Sequence, residues 1–428
     1  MSKIRRTLLW SSVDRLGQAA LNFLIGILLA RLLTPDDFGL MAGVTVFIAI
    51  SYVLVDFGFG KALARTRNAG PAHFSTVFCA NIIIALLLYM IAFFSAPAIA
   101  RYMSMPQLTL IVRVLFISLI LNAFYIVPHT RLQMDLRFDT IACVNLCANL
   151  LSAVAAAVAA FNGMGAWALV MHQMAYHAAR LIGFGAVGPH FTLVKPSPDI
   201  FKDTMRFSTH ITLAGLLNAV FGNIYLFIVA KFFPLFQAGQ YTHAHRQADN
   251  ANFTMLSILE STTYNLLAEH QRDENMFTAT LRHLMRRISL IAMPVMMLII
   301  FVARPACMLL FGQQWLPSVP YFQLICLANI TAVVALLCTN ALNVKGLSRH
   351  TFRLEVLRKG CIAITAAIAL PHGIVALLIG YVAACLVGTA ALMLALHHHT
   401  QYKFSQLISD IAPATAITAL MALAWAVI

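Results

Sequence analysis

The 428-residue sequence predicts an all-α polytopic membrane protein, and three observations carry that prediction. Hydrophobic residues make up 61% of the chain and charged residues 10%, far from soluble usage. The apolar residues gather into about thirteen stretches (about twelve to fourteen), near the ~20 residues a helix needs to cross hydrocarbon. Lys and Arg concentrate in the N-terminal tail and in every second connection. The intervening connections carry Arg31, Arg101, Lys231 and Arg304 in or beside them. Connections rich in Lys and Arg stay in the cytoplasm, so the N-terminus and the even connections are placed there. A backbone in lipid must satisfy its own polar groups, which makes each stretch a helix.

The stretches run at 11–33, 39–59, 74–96, 108–127, 140–160, 165–187, 208–232, 240–266, 287–311, 320–343, 355–370, 373–396 and 406–428. The first follows Lys3, Arg5 and Arg6 and closes at Arg31 as a full span. No small-residue cleavage pattern follows it, so it reads as a helix and not as a leader. The odd connections, 34–38, 97–107, 161–164, 233–239, 312–319 and 371–372, are too short for an extramembrane domain. Of the longer even connections, 188–207 and 267–286 are expected to hold cytoplasmic surface helices. The last stretch reaches Ile428 and places the C-terminus outside.

Two stretches offset by 200 positions match. Ala30-Arg31-Leu32-Leu33 leads to Gly39, and Ala230-Lys231-Phe232-Phe233 leads to Gly239. Parallel repeats of this kind mark transporters whose site lies between the repeats. The expected organisation is two pseudo-symmetric six-helix lobes plus one extra C-terminal helix. Residues 1–190 form the first lobe, 191–207 a cytoplasmic linker, 208–398 the second lobe and 399–428 the additional span.

Several function classes fall away. The net charge of +14 is spread over separate connections, which fits membrane topology and anionic lipid rather than a nucleic-acid stripe. No phosphate-binding glycine loop is present, so no nucleotide motor is built in. The eight cysteines show no ribbon or finger spacing, so neither a disulfide framework nor a metal centre is expected. Cys143 and Cys147 share a helix face, where they are expected to pack as small residues. The acids within the stretches, Asp14, Asp56, Asp249 and Glu260, do not form the pair that intramembrane catalysis requires. No enzyme activity and no cofactor are expected.

Ionisable residues inside an apolar stretch cost about 2.5–3.5 kcal/mol on insertion scales and usually face a cavity or a partner. Asp14 and Arg15 lie near the start of the first stretch, where Arg15 can snorkel. Asp56 can meet Lys61 one turn on. Arg113 has no acid on its own helix; lining a cavity and snorkelling both remain open for it. The eighth stretch is the least apolar: Arg246, Asn250, Ser257, Glu260 and Tyr264 form one polar stripe at helical spacing. An interfacial helix and a pore-lining span both explain the stripe, and the alternating charges favour the second. Arg246 and Asp249 can neutralise each other at i and i+3. His172, His177 and His210 read as hydrogen-bonded helix residues rather than proton carriers.

A resemblance rests on several segments. Leu54-Val-Asp56-Phe-Gly58, Ser75-Thr-Val-Phe78-Cys-Ala-Asn81, Arg131-Leu-Gln-Met134-Asp-Leu-Arg137-Phe138 and Gly163-Met-Gly165-Ala-Trp167-Ala-Leu-Val170 come from the first half. Gly239-Gln-Tyr241-Thr-His-Ala244, Phe311-Gly-Gln-Gln-Trp315-Leu-Pro-Ser-Val-Pro320 and Lys345-Gly346 followed by Glu355 come from the second. Together they resemble the Wzx-like oligosaccharide flippases, the polysaccharide-transporter branch of the multidrug/oligosaccharidyl-lipid/polysaccharide exporter superfamily. That family usually has fourteen helices, two six-helix lobes and two further spans, so this chain departs from it at the C-terminal side.

The resemblance implies alternating-access transport of an oligosaccharide on undecaprenyl diphosphate across a bacterial inner membrane, toward the periplasm. A diphosphate needs a polar, cationic path. Arg113 and Arg246 are the expected partners of the head group, with Arg15 and Arg31 at the two mouths. Asp249, Asn250 and Glu260 would bind sugar or hold the cations apart. Asp56, Asp249 and Glu260 are the candidates for H⁺ or Na⁺ coupling. Membrane lipids, a polysaccharide polymerase and glycosyltransferases are the expected partners. The alternatives are a cation-coupled small-molecule exporter of the same superfamily and a membrane glycan polymerase or ligase.

Overall fold

In the computed structural model the backbone is described for residues 3–66, 69–188 and 192–427. The side chains of 3–5, 8, 253–258, 260–262 and 424–427 lie outside the described residues. Among the described residues the chain is helical, with no strand. The helices are α1 (Lys3–Leu32), α2 (Pro35–Asp56), α3 (Phe59–Arg65), α4 (Pro71–Met103), α5 (Leu108–Leu115), α6 (Ile117–Met134), α7 (Phe138–Phe161) and α8 (Trp167–Val187). They continue as α9 (Pro198–Phe232), α10 (Leu235–Glu269), α11 (Glu274–Leu310), α12 (Val319–Val344), α13 (Ser348–Ala369), α14 (Ile374–His399) and α15 (Phe404–Val427).

Each apolar stretch of the sequence is represented, the fourth by α5 and α6 together. Among the described residues, ten candidate spans are long and apolar enough to cross a membrane, and α8, α10 and α13 are not among them. Large apolar side chains such as Ile83, Leu87, Phe94, Val154 and Phe161 stand more than half exposed on outer faces, which suits lipid and not water. The protein is a multi-pass membrane protein.

Several expectations are corrected. No separate surface helix occupies the described parts of 188–207 or 267–286; α9, α10 and α11 extend into them, at 35, 35 and 37 residues. Helix propagation costs little once a span is nucleated, so the polar flanks continue it. The helix expected at 355–370 begins at Ser348, which carries Glu355, Arg358 and Lys359 about two turns inside α13. Cys143 and Cys147 are exposed on α7 and do not pack in its interior, because α7 turns its small residues Ala142, Ala148 and Ala156 inward instead.

The chain divides into two compact units, Met1–Thr242 and His243–Ile428. In the first, α7 packs on α1 and α8, α6 on α4 and α8, and α2 on α9. A core of Tyr125, Leu132, Ile141 and Phe184 joins α6, α7 and α8. In the second, α12 packs on α11 and α14, α13 on α14, and α15 on α11. There Arg282 grips Asp410 through Nε at 2.8 Å and a terminal nitrogen at 3.3 Å, and the Tyr402 hydroxyl donates to Asp410 at 2.9 Å. Burial, and then the Asp410 carboxylate, push the Tyr402 phenol up, which keeps it a donor.

Asp56, Phe57 and Gly58 form the stop of α2. Phe57 (φ 42°) and Gly58 (φ 66°) are both left-handed, and the Gly58 N–H donates to the Asp56 carboxylate. Side chains other than glycine reach that region at a cost, which explains the Phe-Gly pair. Asp56 makes no ion pair with Lys61 within 4.0 Å.

The two matched glycines meet each other's helices inside the first unit. A Cβ on Gly39 would overlap the Leu235 carbonyl oxygen, and one on Gly239 would overlap the Pro35 carbonyl oxygen. Positions 35 and 235, like 39 and 239, are 200 apart, so the contact is reciprocal. Gly39→Val and Gly239→Val are each expected to lower the thermal stability of the purified protein by about 1–3 kcal/mol, as overpacking does. The double variant should fall short of the sum, since both act on one contact. Thermal unfolding in detergent measures both.

Candidate functional site

Polar side chains inside the first unit converge where α1, α2, α6 and α8 approach. On α8, Gln173, Tyr176, His177 and Arg180 recur at i, i+3, i+4 and i+7 and so share a face. His177 is buried, with Nε2 2.7 Å from the Tyr52 hydroxyl and Nδ1 2.8 Å from the Tyr125 hydroxyl. Tyr52 also lies 2.7 Å from the Ser118 hydroxyl, and Arg180 donates to the Tyr125 oxygen at 3.1 Å.

Proton positions in this chain follow from its two ends. Ser118 donates to the Leu115 carbonyl and so must accept from Tyr52. Tyr52, having spent its proton, accepts from His177 Nε2–H. A neutral imidazole has one donor nitrogen, so Nδ1 accepts from Tyr125, and Tyr125 accepts from Arg180. Every donor points the same way, from guanidinium to backbone carbonyl. As a neutral imidazole His177 is thereby assigned the Nε2–H tautomer.

Arg180 is the cation at the head of that chain. Its guanidinium sits 4.6 Å from the Tyr125 ring centroid and 5.4 Å from those of Tyr176 and Phe184, an aromatic cage with cation–π geometry. It makes no ion pair with a carboxylate among the described residues, and its buried Nε has no hydrogen-bond partner. A guanidinium placed this way retains donors for an anion. The sequence analysis did not single out Arg180, which lies within the stretch 165–187; the i, i+3, i+4, i+7 spacing on α8 is the signal that marks it.

The other expected residues are distributed as follows. Asp14 accepts from Gln18 at 2.8 Å and from Asn145 at 3.1 Å. Arg15 and Arg31 are exposed. Arg113 turns to α4, where its Nε donates to the Phe93 carbonyl at 3.4 Å and its guanidinium lies 4.3 Å from the Phe93 ring centroid. In the second unit Arg246 is exposed and Asn250 is half-buried. Asp249 lies 2.8 Å from His245 Nδ1, one turn back on α10. The side chains of Ser257 and Glu260 lie outside the described residues.

Two further groups in the second unit escaped the sequence. His243 stacks on Trp315 at 4.3 Å, meets the edge of Phe311 at 4.5 Å, and has Nδ1 3.3 Å from the Ser318 hydroxyl. The Phe311–Trp315 segment therefore seats the start of this unit's α10. On α13, Glu355 holds Arg358 at 2.6 and 3.0 Å and lies 3.9 Å from Lys359. Arg358 lies over Gly388, where a Cβ would strike its stem.

Residues 28–320 match the model of the polysaccharide biosynthesis protein family. The chain belongs to that family. It is 25% identical over 334 residues to an uncharacterized membrane protein in the cps region of Klebsiella pneumoniae, covering 76% of this chain and 68% of that protein. It is 24% identical over 326 residues to the succinoglycan biosynthesis transport protein ExoT of Rhizobium meliloti, covering 76% and 66%. It is 22% identical over 333 residues to the lipopolysaccharide biosynthesis protein WzxC of Escherichia coli, covering 75% and 66%. The chain thus spans about two thirds of the length of these relatives. Among solved structures, the lipid II flippase MurJ in an inward closed conformation superposes with a TM-score of 0.74 at 12% identity, over 98% of both chains. An inward-facing multidrug MATE transporter gives 0.68 at 16% identity, over 92% of this chain and 98% of that one. The fold of this family member is that of the exporter superfamily.

Tyr125→Phe removes the one hydroxyl that serves both His177 and Arg180. The loss is expected to cost about 1–3 kcal/mol, as for stranded buried polar groups. Tyr52→Phe, further down the chain, should cost a comparable amount, and the double variant less than their sum. Thermal unfolding of the three proteins measures the coupling.

Proposed function

We propose that this chain moves a polyprenyl-diphosphate-linked oligosaccharide from the cytoplasmic to the periplasmic leaflet of a bacterial inner membrane, for surface polysaccharide assembly. The observation that carries the proposal is Arg180, a caged guanidinium without a carboxylate inside a helical membrane protein. A diphosphate with a sugar head cannot cross hydrocarbon unaided, and a planar guanidinium binds phosphate oxygens in bidentate fashion. Tyr176, Gln18 and Gln173 supply aromatic faces and amides suited to sugar rings and hydroxyls. Family membership and the polysaccharide relatives support the same substrate class.

In this scheme two lobes alternate access to the site, and the N-terminus lies in the cytoplasm. Arg180 takes over the head-group role in the first half of the chain, since Arg113 is engaged by α4. Arg246, with Asp249 and Asn250 near it on α10, supplies the second half, and Arg15 and Arg31 serve the approaches. The membrane potential is worth about 2.3 kcal/mol per charge per 100 mV and favours outward movement of an anionic head. Counter-transport of H⁺ or Na⁺ is the rival supply. Asp56, occupied as a helix stop, is then a weaker candidate than Asp249 or Glu260. The chain alters no covalent bond of its substrate.

Arg180→Ala in a strain that depends on this protein should reduce surface glycan at least about tenfold at unchanged protein level, the loss of a charge-assisted contact being worth about 1.5–3 kcal/mol. Arg180→Lys should restore part of it, because ammonium keeps the charge without the fork. Normal glycan in Arg180→Ala would remove Arg180 from the site. Drug sensitivity without a glycan defect would instead favour the small-molecule exporter.

A further inference from the structure

The C-terminal end of α4 and the start of α5 enclose a small cavity that shares no residue with the Arg180 cage. It measures about 300 Å³ and is lined by Pro97, Ala100, Arg101, Ser104, Pro106 and Thr109. Three of these side chains bring hydrogen-bond donors, and none of the three is engaged. Among the described residues Arg101 makes no ion pair and no ring contact, and the Ser104 and Thr109 hydroxyls make no hydrogen bond. Ser104 (φ 58°) holds a left-handed backbone at the stop of α4, where glycine sits without cost. Serine accepts the strain and adds a hydroxyl to the cavity.

The charge around the cavity is one-sided. Lys231 donates to the Tyr102 carbonyl and stands 4.2 Å from the Tyr102 ring centroid, so a second cation lies one residue from Arg101. Asp37, at the start of α2, is occupied in capping Thr34, and neither it nor Asp36 pairs with Arg101 or Lys231. Lys and Arg are scarce in the odd connections, so two of them in one place call for an anionic partner. The surroundings identify where that partner comes from. Tyr102 is 55% exposed, Leu110 59%, and Phe94, two turns back along α4, 71%. Tyrosine sits at the head-group level of a bilayer and bare Phe and Leu face its acyl chains, so the cavity opens at that boundary.

We propose that Arg101, Ser104 and Thr109 bind the phosphate of an anionic phospholipid of the phosphatidylglycerol type. The planar guanidinium takes two phosphate oxygens in bidentate fashion, and the two hydroxyls donate to the phosphate beside it. Lys231 strengthens the positive field without entering the cavity. No acid lines the cavity, so the ammonium of a zwitterionic head group finds no partner there, which selects an anionic lipid. The acyl chains then lie along Phe94 and Leu110. Assignment of this lipid to the outer leaflet rests on the proposed orientation; the site itself does not.

The test uses the full-length protein purified in detergent and phosphatidylglycerol with a photoreactive group on its head-group glycerol. After illumination, the labelled peptides are mapped by mass spectrometry. The wild type should be labelled within residues 97–110. Arg101→Gln should lower that labelling at least about tenfold, as loss of a charge-assisted contact does, and Arg101→Lys should retain part of it. Labelling of the basic even connections should stay the same in both, which reports that the variants fold. Ser104→Gly relieves the left-handed backbone and so keeps the fold, yet it should weaken labelling of 97–110 through one lost hydroxyl. Unlabelled phosphatidylglycerol should compete, and phosphatidylethanolamine and inorganic phosphate should not. No labelling at 97–110, unchanged labelling in Arg101→Gln, or equal competition by inorganic phosphate overturns the site. The flippase reading stands or falls separately, on Arg180 and the glycan phenotype.

Discussion

A charge that cannot leave the bilayer must be matched where it stands, and the interior of this protein is organised by that constraint. Arg180 meets it with three aromatic rings and a hydroxyl instead of a carboxylate. Ser118 gives its proton to the Leu115 carbonyl, so Tyr52 donates to Ser118, His177 to Tyr52 and Tyr125 to His177, while Tyr125 accepts from Arg180. Helices α2, α5, α6 and α8 are thereby tied together. Because each group in the chain uses its only proton, the arrangement has one register and resists small adjustments.

The same constraint explains why three long helices are not apolar enough to be candidate spans. α8 carries the Arg180 face, α10 carries His243, Arg246 and Asp249, and α13 carries Glu355, Arg358 and Lys359. These polar and charged residues are what lower their hydropathy. In α13 the cations are matched by Glu355 on their own helix. In α8 no acid performs that service among the described residues, so the Arg180 guanidinium keeps donors that Arg358 has spent on Glu355. Of the segments that carry the family resemblance, Asp56-Phe57-Gly58 stops a helix and Phe311–Trp315 seats His243, so both serve architecture.

Much of the fold was legible in the sequence because hydrocarbon imposes length and apolarity on every span. Each stretch expected to be helical carries a helix among the described residues. Helix ends were less legible: α9, α11 and α13 run well into segments expected to be loops or surface helices, since polar residues do not themselves stop a helix. The site was legible in part. Periodicity marked a polar stripe on α10, whose Ser257 and Glu260 side chains lie outside the described residues, and the same spacing in α8 and α1 went unread, because Gln18 and Asn22 carry no charge and Arg180 was not singled out. Arg113 drew attention as an intramembrane cation, yet Phe93 claims it.

By itself the sequence determined the helical class, the approximate spans and the family resemblance. These depend on composition and on order along the chain, which a bilayer reads one segment at a time. Tertiary structure alone decided which polar groups meet. Tyr52, Ser118, Tyr125, His177 and Arg180 come from three helices, and Asp14 and Asn145 are separated by 131 positions. The physical reason is that helical spacing fixes which residues share a face, whereas the neighbour opposite that face is set by the packing of helices remote in sequence.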